Sequence, residues 1–212
     1  MSSRVYDDPC GIARALNLVG DRWALLVVRE LLFGPKRFTD LRAGLPAASQ
    51  NVLSHRLREL EAADVVRRRA TGAPVYELTR RGARLRPVLL ELARWGSATP
   101  VGSTAELSVA ALLFALLTTF SPDRAGDLRG TFELRVDDEP FRVAVDGGRV
   151  DVVAGAPAEP DAVVDTDRAT LRELVFGGAG LPDAVAAGRA RVAGDEQAAA
   201  RLLTLFPRPA AD

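Results

Sequence analysis

Between Ser49 and Leu78 the spacing of apolar residues changes once, from a helical to a strand period. That change restricts the fold more than any other feature of the chain. Leu53, Leu57 and Leu60 fall at i, i+4 and i+7, the stripe of a helix that buries one face. Ser49 stands at the N-cap position, and the helix is expected to run to about residue 63. Val65-Val66, the run Arg67-Arg68-Arg69, a Thr71-Gly72-Ala73-Pro74 turn and the alternating Val75-Tyr76-Glu77-Leu78 then predict a β-hairpin. Strand alternation places Arg67 and Arg69 on one face and Arg68 on the other.

Helical patterns surround this unit. Ile12, Ala15, Leu16 and Val19 mark a first helix over 10–19. Asp21 is placed to cap a second helix from Arg22, with Trp23, Leu26, Val27 and Leu31-Leu32 inward and Gly34-Pro35 as its stop. A short helix at 39–43, with Phe38 and Leu41 buried, precedes the turn Leu45-Pro46-Ala47-Ala48. After the hairpin, Thr79-Arg80-Arg81-Gly82 opens one more helix through Leu85, Val88, Leu89, Leu92 and Trp95. Residues 96–103 (GSATPVGS) have linker composition.

A capped helix with a polar outer face, followed at once by a basic hairpin, is the order of a winged helix-turn-helix. Opposite the leucines lie Asn51, His55, Arg58 and Ala62, flanked by Gln50 and Ser54. Gln and Asn can bond adenine in bidentate fashion, and Arg guanine. Ser54 and His55 can reach bases or phosphates, and the Ser49 end of the helix favours a phosphate. The candidate recognition set is therefore Ser49, Gln50, Asn51, Ser54, His55 and Arg58, with Arg37, Arg67, Arg68, Arg69 and Thr71 as wing and backbone contacts. A solvated surface helix would show a similar polar face, so the order of elements carries more weight than any one residue.

Residues 10–46 supply Cys10, Gly20-Asp21-Arg22-Trp23, Gly34-Pro35, Arg37-Phe38 and Leu41. Ser49, Leu53, the stretch 56–61 (RLRELE), Tyr76-Glu77-Leu78-Thr79 and Gly82 follow. Over roughly 8–97 the chain resembles HxlR-type regulators, within the MarR-like winged-helix class. It departs from the family pattern at Cys10-Gly11, where Cys-Pro is usual, and at Gln50-Asn51, which touches presumed base-reading positions. The resemblance implies a homodimer on a palindromic double-stranded DNA operator. It places the first helix and the helix after the wing (Ile12, Leu16, Leu85, Val88, Leu89, Leu92, Trp95) at the interface, where packing inside the monomer is the alternative. In some such regulators the cysteine equivalent to Cys10 senses oxidants; burial as a small hydrophobe is the favoured alternative here.

The second half, 104–212, reads as α+β. An apolar helix over 105–119 precedes strand patterns at 130–136, 141–145, 149–153, 162–166 and 189–193. Asp137-Asp138-Glu139-Pro140 and Asp146-Gly147-Gly148 are expected hairpin turns. Helices are expected at 170–176, 181–187 and 197–205. The words Leu128-Arg129-Gly130-Thr131-Phe132, Gly148-Arg149-Val150 and Arg191-Val192-Ala193-Gly194-Asp195 resemble the sterol carrier protein fold, a few antiparallel strands covered by helices. That resemblance implies an apolar pocket for a small hydrophobic ligand, walled by Leu113, Leu116, Leu117, Phe120, Leu174 and Phe176; a packed core is the alternative.

Charge divides the same way. Residues 1–100 hold 17 Lys+Arg against 10 Asp+Glu, a net of +7, and residues 101–212 hold 11 against 18, a net of −7. One cysteine, no apolar signal segment and no span-length apolar run point to a cytoplasmic protein. No cofactor is expected: with a single His and a single Cys there is no metal-ligand spacing, and Gly177-Gly178-Ala179-Gly180 lacks the Lys-Ser/Thr of a phosphate loop. The sequence therefore predicts a two-domain regulator rather than an enzyme. The competing reading is a carrier of hydrophobic ligands, or a protein-interaction module, whose winged helix does not bind DNA specifically.

Overall fold

Leu53, Leu57 and Leu60 are buried to 0–1% exposure in the computed structural model of the chain, which describes residues 5–69, 72–99 and 105–208. They lie on α4 (Gln50–Ala62). Ahead of it come α1 (Gly11–Val19), α2 (Ala24–Leu31), β1 (Lys36–Arg37) and α3 (Phe38–Gly44); after it come β2 (Val66–Arg69), β3 (Val75–Leu78), α5 (Arg80–Ala83) and α6 (Arg86–Ser97). The three strands form one antiparallel sheet in the order β1-β3-β2. Val27, Val28, Leu31, Leu41, Val65 and Val66 complete the core. The chain divides into two units, Met1–Leu89 and Leu90–Asp212, so the division falls inside α6.

Several local expectations are corrected. Asp21 does not cap α2: Trp23 is at that position with no side-chain cap, while the Asp21 carboxylate takes the Arg56 guanidinium. The helix expected from Thr79 onward is two helices. Thr79 Oγ1 caps α5 by accepting from Gly82 N at 3.0 Å, and Pro87, which lacks an N–H, favours a fresh start within the first turn of α6. Two-residue β1 escaped detection because a pair of residues carries no period.

In the second unit, α7 (Val109–Thr119) is shorter than expected because Ser108 caps it, accepting from Ala111 N at 3.0 Å. Ala110 to Phe114, Leu116 and Leu117 are all buried, so the helix is enclosed on nearly every side. After α8 (Pro122–Ala125) the strands β4 (Gly130–Val136), β5 (Glu139–Asp146), β6 (Arg149–Ala154) and β7 (Ala162–Thr166) follow. Then come α9 (Arg168–Arg172), a wide π turn at Glu173–Gly177, α10 (Leu181–Ala186), β8 (Ala190–Gly194) and α11 (Glu196–Leu203). The sheet order is β6-β5-β4-β7-β8. It is not purely antiparallel as expected: β4 and β7 run parallel, with Phe132 opposite Ala162. The chain leaves β4 through two hairpins, and the connection from β6 crosses to the free side of β4 without reversing direction. Both hairpin turns hold two consecutive residues at positive φ, Asp137-Asp138 and Gly147-Gly148, the twist that matches paired strands.

Candidate nucleic-acid interface

Ser49 Oγ accepts from Val52 N at 3.3 Å and fixes the start of α4. With the leucines anchored, Gln50, Asn51, His55 and Arg58 are exposed and Ser54 is half-buried. His55 Nε2 sits 3.1 Å from Glu59 Oε1, one turn on, and Arg58 Nε donates to Ser54 O at 3.4 Å. Arg56 does not join this face: its guanidinium is held by Asp21 and Glu59. Arg37 is exposed at the start of α3, its backbone N–H donating to Asp40 Oδ2 at 3.0 Å.

The hairpin separates its three arginines. Arg67 lies opposite Glu77 in the register and donates to its Oε1 at 2.8 Å; Arg69 approaches Oε2 of the same carboxylate at 3.5 Å. Arg68 points to the other face and makes no ion pair among the described residues. The wing thus offers one unpaired cation and two whose charge is half offset, a division that requires the register and cannot be read from the run itself. Thr71 lies outside the described residues.

A buried ionic cluster, not anticipated from the sequence, ties α2 to β1. Glu30 on α2 is 0% exposed, 2.9 Å from Lys36 Nζ and 2.8 Å from Arg29 Nη2. Its carboxylate also lies where a Cβ on Gly44 would come within 2.5 Å of Oε2, so Gly44 leaves room for it at the end of α3. The signal was an ionisable residue amid Val27, Val28 and Leu31 with the chain's one lysine six residues on.

Of the apolar residues assigned to a dimer face, Ile12 and Leu16 on α1 are 72% and 43% exposed. On α6, Val88, Leu92 and Trp95 are 54%, 46% and 76% exposed. Leu89 is buried and Leu85 half-buried. Cys10 is exposed rather than buried, because it precedes α1 on the outer side, its N–H donating to Asp8 Oδ1 at 2.8 Å.

In the second unit the six residues assigned to a pocket wall mostly do something else. Leu113, Leu116, Leu117 and Leu174 are packed in the interior, and Phe120 meets the Phe206 ring at 6.1 Å. Phe176 lines a cavity of about 240 Å³ whose other walls include Leu107, Leu112, Arg168 and Arg172. Apolar character alone does not distinguish a core residue from a wall. A further hollow of about 540 Å³ in the first unit is lined by α1 residues with Val65, Arg81 and Leu85. Among the described residues no group of three or more His, Cys, Asp or Glu could hold a metal ion, and no helix is long and apolar enough to cross a membrane.

Comparison with known proteins assigns both parts. Residues 18–101 match the HxlR-like helix-turn-helix family, and residues 98–212 match the alkyl sulfatase C-terminal family. The chain is 41% identical over 88 residues to YvaP of Bacillus subtilis (strain 168), an HTH-type transcriptional regulator, covering 40% of this chain and 82% of YvaP. It is 36% identical over 85 residues to the HTH-type transcriptional regulator YodB of the same organism, covering 38% and 76%. The crystal structure of quinone-bound YodB aligns with 35% identity and a TM-score of 0.38 over 42% of this chain and 97% of that one.

Proposed function

The chain belongs to the HxlR-like helix-turn-helix family of transcriptional regulators in its first part and to the alkyl sulfatase C-terminal family in its second, and from that premise we propose a cytoplasmic, homodimeric, sequence-specific DNA-binding regulator tuned by a small hydrophobic effector in the second unit. The observation that carries the DNA reading is the outer face of α4, where Gln50, Asn51, His55 and Arg58 stand exposed above a fully buried leucine stripe. Ser49 and Ser54 flank that face. The wing adds Arg68, with Arg67 and Arg69 partly offset by Glu77. A palindromic operator follows from a two-fold dimer. Large exposed side chains on α1 and on α6 support dimerisation, since apolar area of that kind marks a partner surface. Effector control requires a ligand whose affinity differs between the DNA-bound and free states.

Arg58→Ala tests the assignment. It is expected to weaken binding to the operator by about 1–3 kcal/mol, with little change on unrelated duplex. Arg58 is exposed and donates to a backbone carbonyl of its own helix, so the fold is not at stake. Unchanged operator affinity would favour a carrier or interaction module whose winged helix does not read DNA.

A further inference from the structure

The cavity of about 240 Å³ in the second unit has an amphiphilic lining. Its lining combines the apolar Leu107, Leu112 and Phe176 with the charged Arg168, Arg172, Arg208, Glu106 and Glu173. Both carboxylates are already engaged, Glu106 with Arg168 at 3.8 Å and Glu173 with Arg189 at 2.6 Å. Arg168 is further held by Asp137 at 3.4 Å, and Arg208 donates to Phe176 O. The Arg172 guanidinium has no ion pair or hydrogen bond among the described residues. The charge left uncompensated at this cavity is therefore positive.

The backbone shapes the site. Asp167 caps α9, accepting from Thr170 N at 2.8 Å, and that bond holds its carboxyl below the usual carboxylate range. The helix then widens into the π turn, which carries Glu173 and Phe176 to the wall; such turns recur at functional sites. Glu106, Leu107, Arg168, Arg172 and Glu173 are exposed, so this is an open hollow, and its roughly 240 Å³ has room for a small amphiphile.

We propose that this cavity binds a small amphiphilic monoanion of the medium-chain carboxylate class, its head on Arg172 beside Arg168 and its tail against Leu107, Leu112 and Phe176. This rests on the reading of the second unit as an effector domain and names the chemistry of its ligand. A charge-assisted bond between guanidinium and carboxylate supplies the discrimination against uncharged analogues.

The test is calorimetric titration of the full-length protein with hexanoate, octanoate and decanoate, and with octanol and octylamine as uncharged and cationic counterparts. At least one carboxylate should saturate a single site, with octanol about tenfold or more weaker and octylamine silent. Arg172→Gln should bring the carboxylate down to the level of octanol, Arg172→Lys should keep part of the preference, and circular dichroism should be unchanged in both. Octanol binding as tightly as octanoate, or a carboxylate indifferent to Arg172→Gln, would overturn the anionic class and leave an apolar effector standing. Octylamine binding best would overturn it as well. Silence from the whole series would overturn both the class and the effector reading, while operator affinity measured on the same sample reports separately on DNA binding.

Discussion

Lys36→Met is expected to lower the stability of the first unit by about 3 kcal/mol, and adding Glu30→Met to recover most of that loss. Glu30 is wholly buried, with Lys36 beside it at 2.9 Å. Removing the ammonium leaves a carboxylate out of reach of water, still beside Arg29 at 2.8 Å, which places the cost at the low end of the ~3–5 kcal/mol typical of a broken buried pair. Replacing the acid as well removes the charge that needed compensation, and a methionine fills similar volume. Urea unfolding followed by Trp23 fluorescence in a Trp95→Phe background reads the effect. The exposed Arg94–Glu91 pair provides the contrast: Glu91→Ala should change stability by less than about 1 kcal/mol. A double variant no more stable than Lys36→Met alone would show that packing, not charge, is what Lys36 contributes.

Gly194→Ala should destabilise the second unit by about 2–5 kcal/mol. Gly194 ends β8 at φ 84°, a conformation costing roughly 1–2 kcal/mol for a residue with a Cβ. The added methyl would stand 2.4 Å from Asp161 O and 3.1 Å from Ala162 Cα, and both are backbone atoms that cannot swing aside. Overpacking adds about 1–3 kcal/mol. The same loop is fixed by Asp195 N donating to Asp161 O at 2.9 Å and by Thr131 N donating to Asp161 Oδ2 at 2.7 Å. Asp195 then caps α11 through Ala198 N at 2.9 Å. The Gly-Asp pair is thus the point where β8, β7 and α11 are joined. Gly155, also at positive φ but with open space around it, is the matched control: Gly155→Ala should show the conformational cost without the steric one. Equal losses at the two glycines in thermal unfolding would contradict the close-approach explanation.

What the sequence showed and what it concealed follow from the range of the interactions involved. The α4 leucine stripe, the Ser49 cap and the two-residue turns at 137–138 and 147–148 are set by neighbours a few residues away, and each was legible. The parallel pairing of β4 with β7 depends on where the chain returns after two hairpins, which no local pattern records. Glu77 and the wing arginines needed a register. Cys10 was expected to be buried on the general habits of cysteine and is exposed because the segment ahead of α1 lies outside the core. Apart from Phe176, the cavity residues were missed for a physical reason: Leu113 and Leu116 are apolar because they fill the interior, whereas the walls of the cavity include arginines.

The measurement that bears most directly on the regulator is fluorescence anisotropy of the full-length protein against the intergenic DNA beside its own gene, with a scrambled duplex as control, across a salt series. Preferential binding with two protomers per duplex is expected, with an affinity that falls as salt rises, because phosphate contacts release counterions. Equal, weak affinity for both duplexes at every salt concentration would contradict it.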